Sequence, residues 1–308
     1  MFFSIFLMDL RNYPTFMKNT KTSLSLNSGL DYEFLDAGNY RKLERFGKLV
    51  LDRPEIQANW NAQLSKTYWQ KADWYFQEEK GKTGVWKNQT SAPEEWEISY
   101  DHNFVSLSFH LRLTAFKHIG IFPEQAENWN FIQEQLSRIK EEKKVLNLFA
   151  YTGAASVVAA ANGALVTNVD SVKQVLNWGR DNATANGQET IRWILEDARK
   201  FVEKSLRRGD KYHGIIMDPP AFGYGSKKEK WRLEKDLKSL LEQSVQLLNP
   251  EKNFFILNTY SPKLPLQNLI DLLNETKNFP KQFDASTLGL MSQKGQELEL
   301  GSLIRFSH

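Results

Sequence analysis

Val145-Leu-Asn-Leu-Phe-Ala-Tyr-Thr-Gly153 decides how this chain is built. Its first five residues are an apolar run of strand length, and the turn behind them ends on a glycine that permits positive φ and close backbone approach. Residues 154–162 follow as a small-residue helix able to pack tightly on a sheet. The pattern then repeats. Strands are expected over 165–169, 191–195, 213–217 and 253–257, alternating with helices over 172–186, 198–208, 230–248 and 266–277. Such alternation implies a parallel sheet with right-handed crossovers. Near the end the grammar changes: 286–290 and 299–306, separated by Gln293-Lys-Gly-Gln296, read as two strands joined without a helix. The expected fold class is α/β, a doubly wound, mostly parallel seven-stranded sheet closed by an antiparallel hairpin.

Upstream the texture differs. Residues 31–129 carry six of the nine tryptophans (Trp60, Trp69, Trp74, Trp86, Trp96 and Trp129) and short alternating stretches such as Lys48-Leu-Val-Leu51 and Phe104-Val-Ser-Leu-Ser-Phe109. Gly38, Gly47, Gly81 and Gly84 supply turns. A smaller β-rich α+β domain with one or two short helices is expected there. Tryptophan can act as a base-stacking platform, but more often anchors a core, and the core reading is preferred. The charged run 138–144 reads as the solvated end of a helix. The division expected is a flexible extension over 1–30, the small domain over 31–129 and the large one over 130–308. Translation could also begin at Met17.

At 308 residues the chain can bury a full core, and its 41% hydrophobic and 25% charged content is that of a globular protein. No apolar run approaches the roughly 20 residues that span a bilayer, and Phe2 to Met8 is too short for a secretory core. Cysteine is absent, which removes disulfides, thiolate metal sites and thiol nucleophiles, and fits a cytoplasmic location. No metal site is expected. The net charge of +3 permits nucleic-acid binding without requiring it.

In open α/β sheets the ligand sits beyond the carboxyl ends of the strands, at the switch point of the winding. The loop there offers Asn147, Phe149, Tyr151, Thr152 and a single glycine, Gly153. The three-glycine fingerprint that seats a pyrophosphate is missing. Asp170 ends the second strand, where a carboxylate can accept from both hydroxyls of a ribose. Asp197, followed by Ala198, ends the third, within reach of an adenine amino group. Each acid alone would more often be a helix cap; two acids and a glycine turn at three successive strand ends point to a nucleoside ligand. Strand four runs into Asp218-Pro-Pro-Ala-Phe222. Two prolines hold a rigid bend and remove two backbone donors, leaving carbonyls. A carboxylate beside a fixed carbonyl matches an amino group or a nucleobase edge, on which Phe222 could stack. The bland alternative is a rigid turn.

Together Val145-Leu-Asn-Leu-Phe-Ala-Tyr-Thr-Gly153, Val169-Asp170, Glu196-Asp197 and Met217-Asp-Pro-Pro-Ala-Phe222 resemble the bacterial large-subunit ribosomal RNA (cytosine/guanine) methyltransferases, over nearly all of the chain from Asp31 on. The resemblance implies an S-adenosylmethionine-dependent methyltransferase, with Asp218, Pro219, Pro220 and Phe222 at the reaction centre and ribosomal RNA as partner. It also assigns His118-Ile-Gly-Ile-Phe-Pro-Glu-Gln125 to the segment covering the cofactor, so that His118, Phe122 and Gln125 would contact its methionine end. Where cytosine-modifying relatives place a cysteine after strand five, this chain has Asn258-Thr-Tyr-Ser-Pro262. Methylating cytosine carbon 5 requires thiolate addition to the ring, so a nitrogen acceptor is expected. The competing readings are methylation of a small molecule or protein, a non-catalytic RNA-binding protein on the same fold, and, as an outsider, a nicotinamide oxidoreductase. Lys227, Lys228, Lys230 and Arg232, and Arg41, Lys42, Arg45 and Lys48, could grip phosphates, although solvated helix faces explain either cluster equally well.

Overall fold

The computed structural model describes residues 28–79, 83–225 and 229–308, and the backbone of 22–24. The small domain holds a five-stranded sheet in sequence order: β2 (Tyr32–Gly38), β3 (Arg41–Phe46), β4 (Leu49–Pro54), β5 (Trp74–Glu78) and β6 (Gly84–Asn88), with the short helix α1 (Lys66–Trp69) between β4 and β5. A long hairpin, β7 (Glu95–His102) and β8 (Val105–Arg112), follows. Helix α2 (Ala126–Ser137) leads into the large sheet and runs across residue 129, where the sequence suggested a boundary. The run 138–144 splits between the end of that helix and the next strand.

The large sheet is built from β9 (Lys143–Leu148), β10 (Ala164–Asp170), β11 (Arg192–Leu195), β12 (Gly214–Met217), β15 (Phe254–Thr259), β16 (Asp284–Met291) and β17 (Glu297–Ser307). Its spatial order is β16-β17-β15-β12-β9-β10-β11, parallel except where β17 pairs antiparallel with both β15 and β16. The expected seven-stranded sheet with a closing hairpin is thus present. An eighth strand, β1 (Thr22–Leu24), pairs in parallel with β16. It comes from the extension expected to be flexible; residues 1–21, with Met17 and the Phe2 to Met8 run, lie outside the described residues.

Alternation along β9 builds two cores from one strand. Val145 faces the layer containing α2 and α3 (Ala154–Ala161), while Leu146 and Leu148 face that of α5 (Ala198–Arg208), α6 (Leu233–Ser244) and α7 (Leu266–Glu275). The first core runs without a break into the small domain through Tyr100, Phe109 and Trp129. Trp129 packs edge-on to Tyr100, with centroids 5.2 Å apart, and 5.5 Å from Phe109. Two further clasps hold the domains. Gln296 exchanges two hydrogen bonds with the backbone of Ala37. From α4 (Lys173–Ala185), Asn182 accepts from the His110 amide and the Trp178 indole donates to the His110 carbonyl.

Two expectations change. The helix expected over 230–248 starts only at Leu233, because β14 (Lys230–Arg232) pairs antiparallel with β13 (Phe222–Tyr224) in a hairpin behind the Asp-Pro-Pro turn. The phosphate-gripping reading of the first basic cluster also fails: Arg41 pairs with Asp52, Lys42 is buried against Glu44 and Glu55, and Arg45 pairs with Asp31 and Glu33. Lys48 alone of that group is exposed. None of the six tryptophans is exposed, and five donate their indole N–H to protein acceptors: Trp60 to Ala37, Trp69 to Asp36, Trp74 to Pro93, Trp86 to Thr114 and Trp96 to Phe46. They are anchors, as preferred above. No helix of the described residues is long and apolar enough to cross a membrane.

Because the shared core hinges on the Phe109–Trp129 contact, Phe109→Ala is expected to cost about 3–5 kcal/mol in urea unfolding; a loss below about 1 kcal/mol would mean that the joint carries little stability.

Candidate active site

The chain winds outward from β9 through β10 to β11, then returns across the sheet to β12. The gap beyond β9 and β12 is the switch point, and the loops of the proposed motifs open there. The loop after β9 is strained. Phe149 (φ 56°) and Tyr151 (φ 51°) adopt left-handed backbone that non-glycine residues rarely take, and Gly153 (φ 71°) starts α3 in the same region. Several bonds hold it: Ala150 N–H to the Val169 carbonyl (3.1 Å), Tyr151 N–H to Asp170 Oδ2 (2.9 Å) and Thr152 Oγ1 to the Gly120 carbonyl (2.5 Å). Asn147 is buried beneath it and donates to Ser156 (3.0 Å).

Two adjoining cavities result. One is lined by Asn147, Tyr151, Thr152, Phe122, Gln125 and Asp218, the other by Asp170, Asp197, Ala198, Pro220, Tyr224 and Trp231. Phe149 lines both and leans on Trp231 at 5.0 Å. Phe122 sits among His118 (5.3 Å), Tyr151 (5.4 Å) and Tyr260 (6.3 Å). His118 lines neither cavity and is exposed beside Phe122. The structure therefore brings together most residues singled out in the sequence.

It also separates some. Phe222 lines neither cavity: it is 49% exposed on β13, edge-on to Tyr224 at 5.2 Å, with Lys230 Nζ 5.8 Å from its ring. The carbonyl of Pro220, one of those that the paired prolines leave as acceptors, accepts from the Trp231 indole (2.6 Å). Asp197 caps α5, accepting from Arg199 N–H (3.0 Å) and Lys200 N–H (3.3 Å) and pairing with the Arg199 guanidinium. The capping alternative is realised, on a carboxylate that still borders the second cavity. Lys227 and Lys228 lie outside the described residues.

Sequence reasoning passed over Trp231 and noted Asn258 and Tyr260 only as part of the stretch that stands where relatives place a cysteine. Asn258 ends β15 one strand beyond Asp218, so the strand-end rule that found Asp170 and Asp197 could have found it. Gln125 ties these residues together. Its Nε2 donates to Asp218 Oδ2 (3.3 Å) and the Tyr260 hydroxyl (2.7 Å), and its Oε1 accepts from Asn128 (2.6 Å) and Asn258 (3.2 Å).

The electrostatics select the ligand. Asp170, Glu196, Asp197 and Asp218 line the cavities, whereas no lysine or arginine does among the described residues. A pyrophosphate would meet carboxylates without a compensating cation; ribose hydroxyls, an amine and a sulfonium meet acceptors and aromatic faces. The donor set fits S-adenosylmethionine. Desolvation, with Glu124 next, pushes the Asp218 pKa up to about 8, and desolvation raises that of Asp170 against the backbone N–H groups that stabilise its charge.

Asp218 in the folded protein thus keeps a proton that the unfolded chain has lost, and stability should fall as pH climbs from about 4 to about 8. Asp218→Asn removes this penalty: its advantage in melting temperature should grow from pH 5 to pH 8 and level off above. A pH-independent difference would show that Asp218 titrates normally.

The comparisons with known proteins agree with this geometry. The S-adenosylmethionine-dependent methyltransferase family matches residues 84–277. A ribosomal RNA large subunit methyltransferase K/L of Shewanella frigidimarina is 29% identical over 175 residues, 56% of this chain and 24% of its own length. A ribosomal RNA large subunit methyltransferase I of Aeromonas hydrophila is 31% identical over 218 residues, 70% of this chain and 52% of its own. The chain therefore spans about a quarter of the first relative and about half of the second. The crystal structure of an S-adenosylmethionine-dependent methyltransferase from Agrobacterium tumefaciens superposes with a TM-score of 0.85 at 33% identity, covering 95% of this chain and 98% of that one. The putative methyltransferase SMU.776, complexed with S-adenosylhomocysteine, shares the fold (TM-score 0.70, 20% identity, 91% of this chain and 76% of that one). A strained loop over a cation-seeking cavity, a family match across most of the chain and a neighbour alike from end to end lead to one conclusion: this chain belongs to the S-adenosylmethionine-dependent methyltransferase family, and S-adenosylmethionine is its cofactor.

Proposed function

We propose that the chain methylates a nitrogen of an RNA base, with ribosomal RNA as the substrate. The observation that carries this reading is Asp218, a carboxyl group at the edge of the cofactor cavity in a chain with no thiol. The relatives named as ribosomal RNA methyltransferases support the choice of RNA, and such a substrate puts the enzyme in the cytoplasm. S-adenosylmethionine supplies an electrophilic methyl group when bound. The protein's part is alignment: the acceptor lone pair must point along the carbon–sulfur axis, which needs hydrogen-bond acceptors more than a strong base.

Asp218 is the acceptor suited to an amine or ring N–H, and Gln125 holds its carboxylate. The two prolines after it offer no competing N–H, and the Pro220 carbonyl is committed to Trp231. Asp170 would take the ribose, with Ala198 and Asp197 flanking the adenine, while Phe122, Gln125 and Tyr151 would enclose the methionine end and His118 would support Phe122 from outside. Phe222 and Tyr224 form an exposed ledge beside Lys230 and Arg232, suited to stacking an unpaired nucleotide and holding its phosphate.

Purified protein should transfer labelled methyl from S-adenosylmethionine to undermodified ribosomal RNA. Asp218→Ala should reduce transfer by about 10²-fold or more, a loss on the scale of removing one precisely placed polar catalytic group, while cofactor binding persists. Transfer unaffected by the substitution would sink the role of Asp218; label entering only metabolite or protein fractions would replace the RNA reading. Cofactor affinity should depend on pH in a charge-specific way. The sulfonium attracts ionised Asp218, so S-adenosylmethionine should bind more tightly as pH rises through about 8, with each unit of induced pKa shift worth about tenfold. S-adenosylhomocysteine lacks that charge and should not follow.

A further inference from the structure

We infer that Arg305 of β17 is a positioning residue for the reaction: it fixes the direction of a chain of side-chain amides and thereby obliges Gln125 to present N–H, not carbonyl, to Asp218. Every link of the chain is a hydrogen bond. Arg305 donates through Nε (2.8 Å) and Nη2 to Asn128 Oδ1. Asn128 Nδ2 donates in turn to Gln125 Oε1 (2.6 Å) and Asn258 Oδ1 (3.0 Å), and Asn258 Nδ2 adds a second bond to Gln125 Oε1 (3.2 Å). Both hydrogens of Gln125 Nε2 then go to Asp218 Oδ2 (3.3 Å) and the Tyr260 hydroxyl (2.7 Å). Asn128 and Asn258 are buried, which makes each of these bonds costly to lose.

Three amides by themselves leave the direction undecided. An amide accepts at one end and donates at the other, so turning Asn128, Asn258 and Gln125 over together reverses every bond among them and keeps their number. The ends of the chain decide. The Tyr260 hydroxyl can donate or accept, and a carboxyl group can do either according to its protonation. A guanidinium only donates. With two of its N–H groups on one oxygen, Arg305 holds Asn128 with Oδ1 toward β17, and the remaining bonds follow in order. Arg305 is itself anchored: it pairs with Ile256 of β15 and Asp284 of β16, and its guanidinium carbon lies 4.9 Å from the centre of the Phe131 ring on α2. The consequence reaches the reaction centre. Asp218 receives an N–H on one oxygen, which favours the charged form and leaves the other oxygen for the N–H of an acceptor base. Reversed, Gln125 would turn a carbonyl toward that carboxyl group and favour the protonated acid, which donates where the reaction needs an acceptor.

The proposal rests on the reading of Asp218 as the contact for the methyl-accepting base, so its test begins without a substrate. Neutron diffraction from deuterium-exchanged crystals of the whole protein should place both Gln125 deuterons toward Asp218 and Tyr260, and both Asn128 deuterons toward Gln125 and Asn258. Gln125 deuterons on the opposite side would overturn the proposal. Arg305→Gln replaces a pure donor by an amide that can face either way. It should lower kcat about tenfold, on whichever substrate accepts methyl, and leave the Kd of S-adenosylhomocysteine within about twofold. In a Gln125→Leu background, where the chain is already cut, the same substitution should change kcat by less than about twofold. Wild-type kcat in Arg305→Gln, or an undiminished loss in the Gln125→Leu background, would reduce Arg305 to a structural buried cation. Intact transfer in Asp218→Ala would defeat the reading of Asp218 and leave the deuteron positions standing; impaired transfer there with none in Arg305→Gln would defeat the positioning role by itself.

Discussion

The carboxamide of Gln125 is the point at which the molecule closes. It stands at the start of α2, the helix that shares its core with the small domain, and it bonds to the residues ending β12 and following β15. An amide has one acceptor and one donor end, so partner identities fix its orientation. Asn128, itself buried and accepting from Arg305 at 2.8 Å, holds the acceptor end. The donor end then has to face Asp218. A rotation of this group would take the acceptor from the Asn258 amide and leave Asn128 only its bond to Asn258 Oδ1 (3.0 Å), and a buried amide left without an acceptor costs about 1–3 kcal/mol. The cofactor cavity thus takes its shape from a polar network as much as from the sheet beneath it.

The same economy of charge explains the ligand. Glycine-rich phosphate loops work by pointing backbone N–H groups and a helix terminus at an anion. Here the Tyr151 N–H is spent on Asp170 and the Thr152 hydroxyl on Gly120. The loop turns its donors inward to the protein and its acids toward the cavity, which suits a cationic, phosphate-free nucleoside. Strain at Phe149 and Tyr151 is the cost of that arrangement, and the aromatic wall from Phe122 to Tyr260 is what it encloses.

Most of the large domain was legible because its signals are local. The apolar run of β9, the glycine turn at Gly153 and the acids at the ends of β10, β11 and β12 announce themselves within a few residues. What stayed hidden depends on contacts between distant segments. Lys230–Arg232 continued a helical pattern in sequence, yet pairing with Phe222–Tyr224 outweighed it. Trp231, inside that hairpin, reaches back 11 residues to the Pro220 carbonyl and changes what the turn can offer. Arg41, Lys42 and Arg45 looked like surface cations because their partners, Asp52, Glu55 and Asp31, belong to other strands or loops.

These corrections narrow the chemistry. One lone pair of the Pro220 carbonyl is bonded to Trp231, and Asp218 is the group of this turn that lines the cavity beside Phe122, so on the proposed function an exocyclic amine is gripped there. A ring nitrogen needs no such grip, since its lone pair already lies in the plane of the base. Phe222, outside both cavities, and Tyr224, which lines the second, are the exposed aromatic side chains of the hairpin, whereas the six tryptophans are committed to the core and its clasps. The rigid Pro219-Pro220 step stands between the hairpin and Asp218 and sets the distance between them, so the exposed aromatic face and the carboxyl group in the cavity keep a fixed spacing.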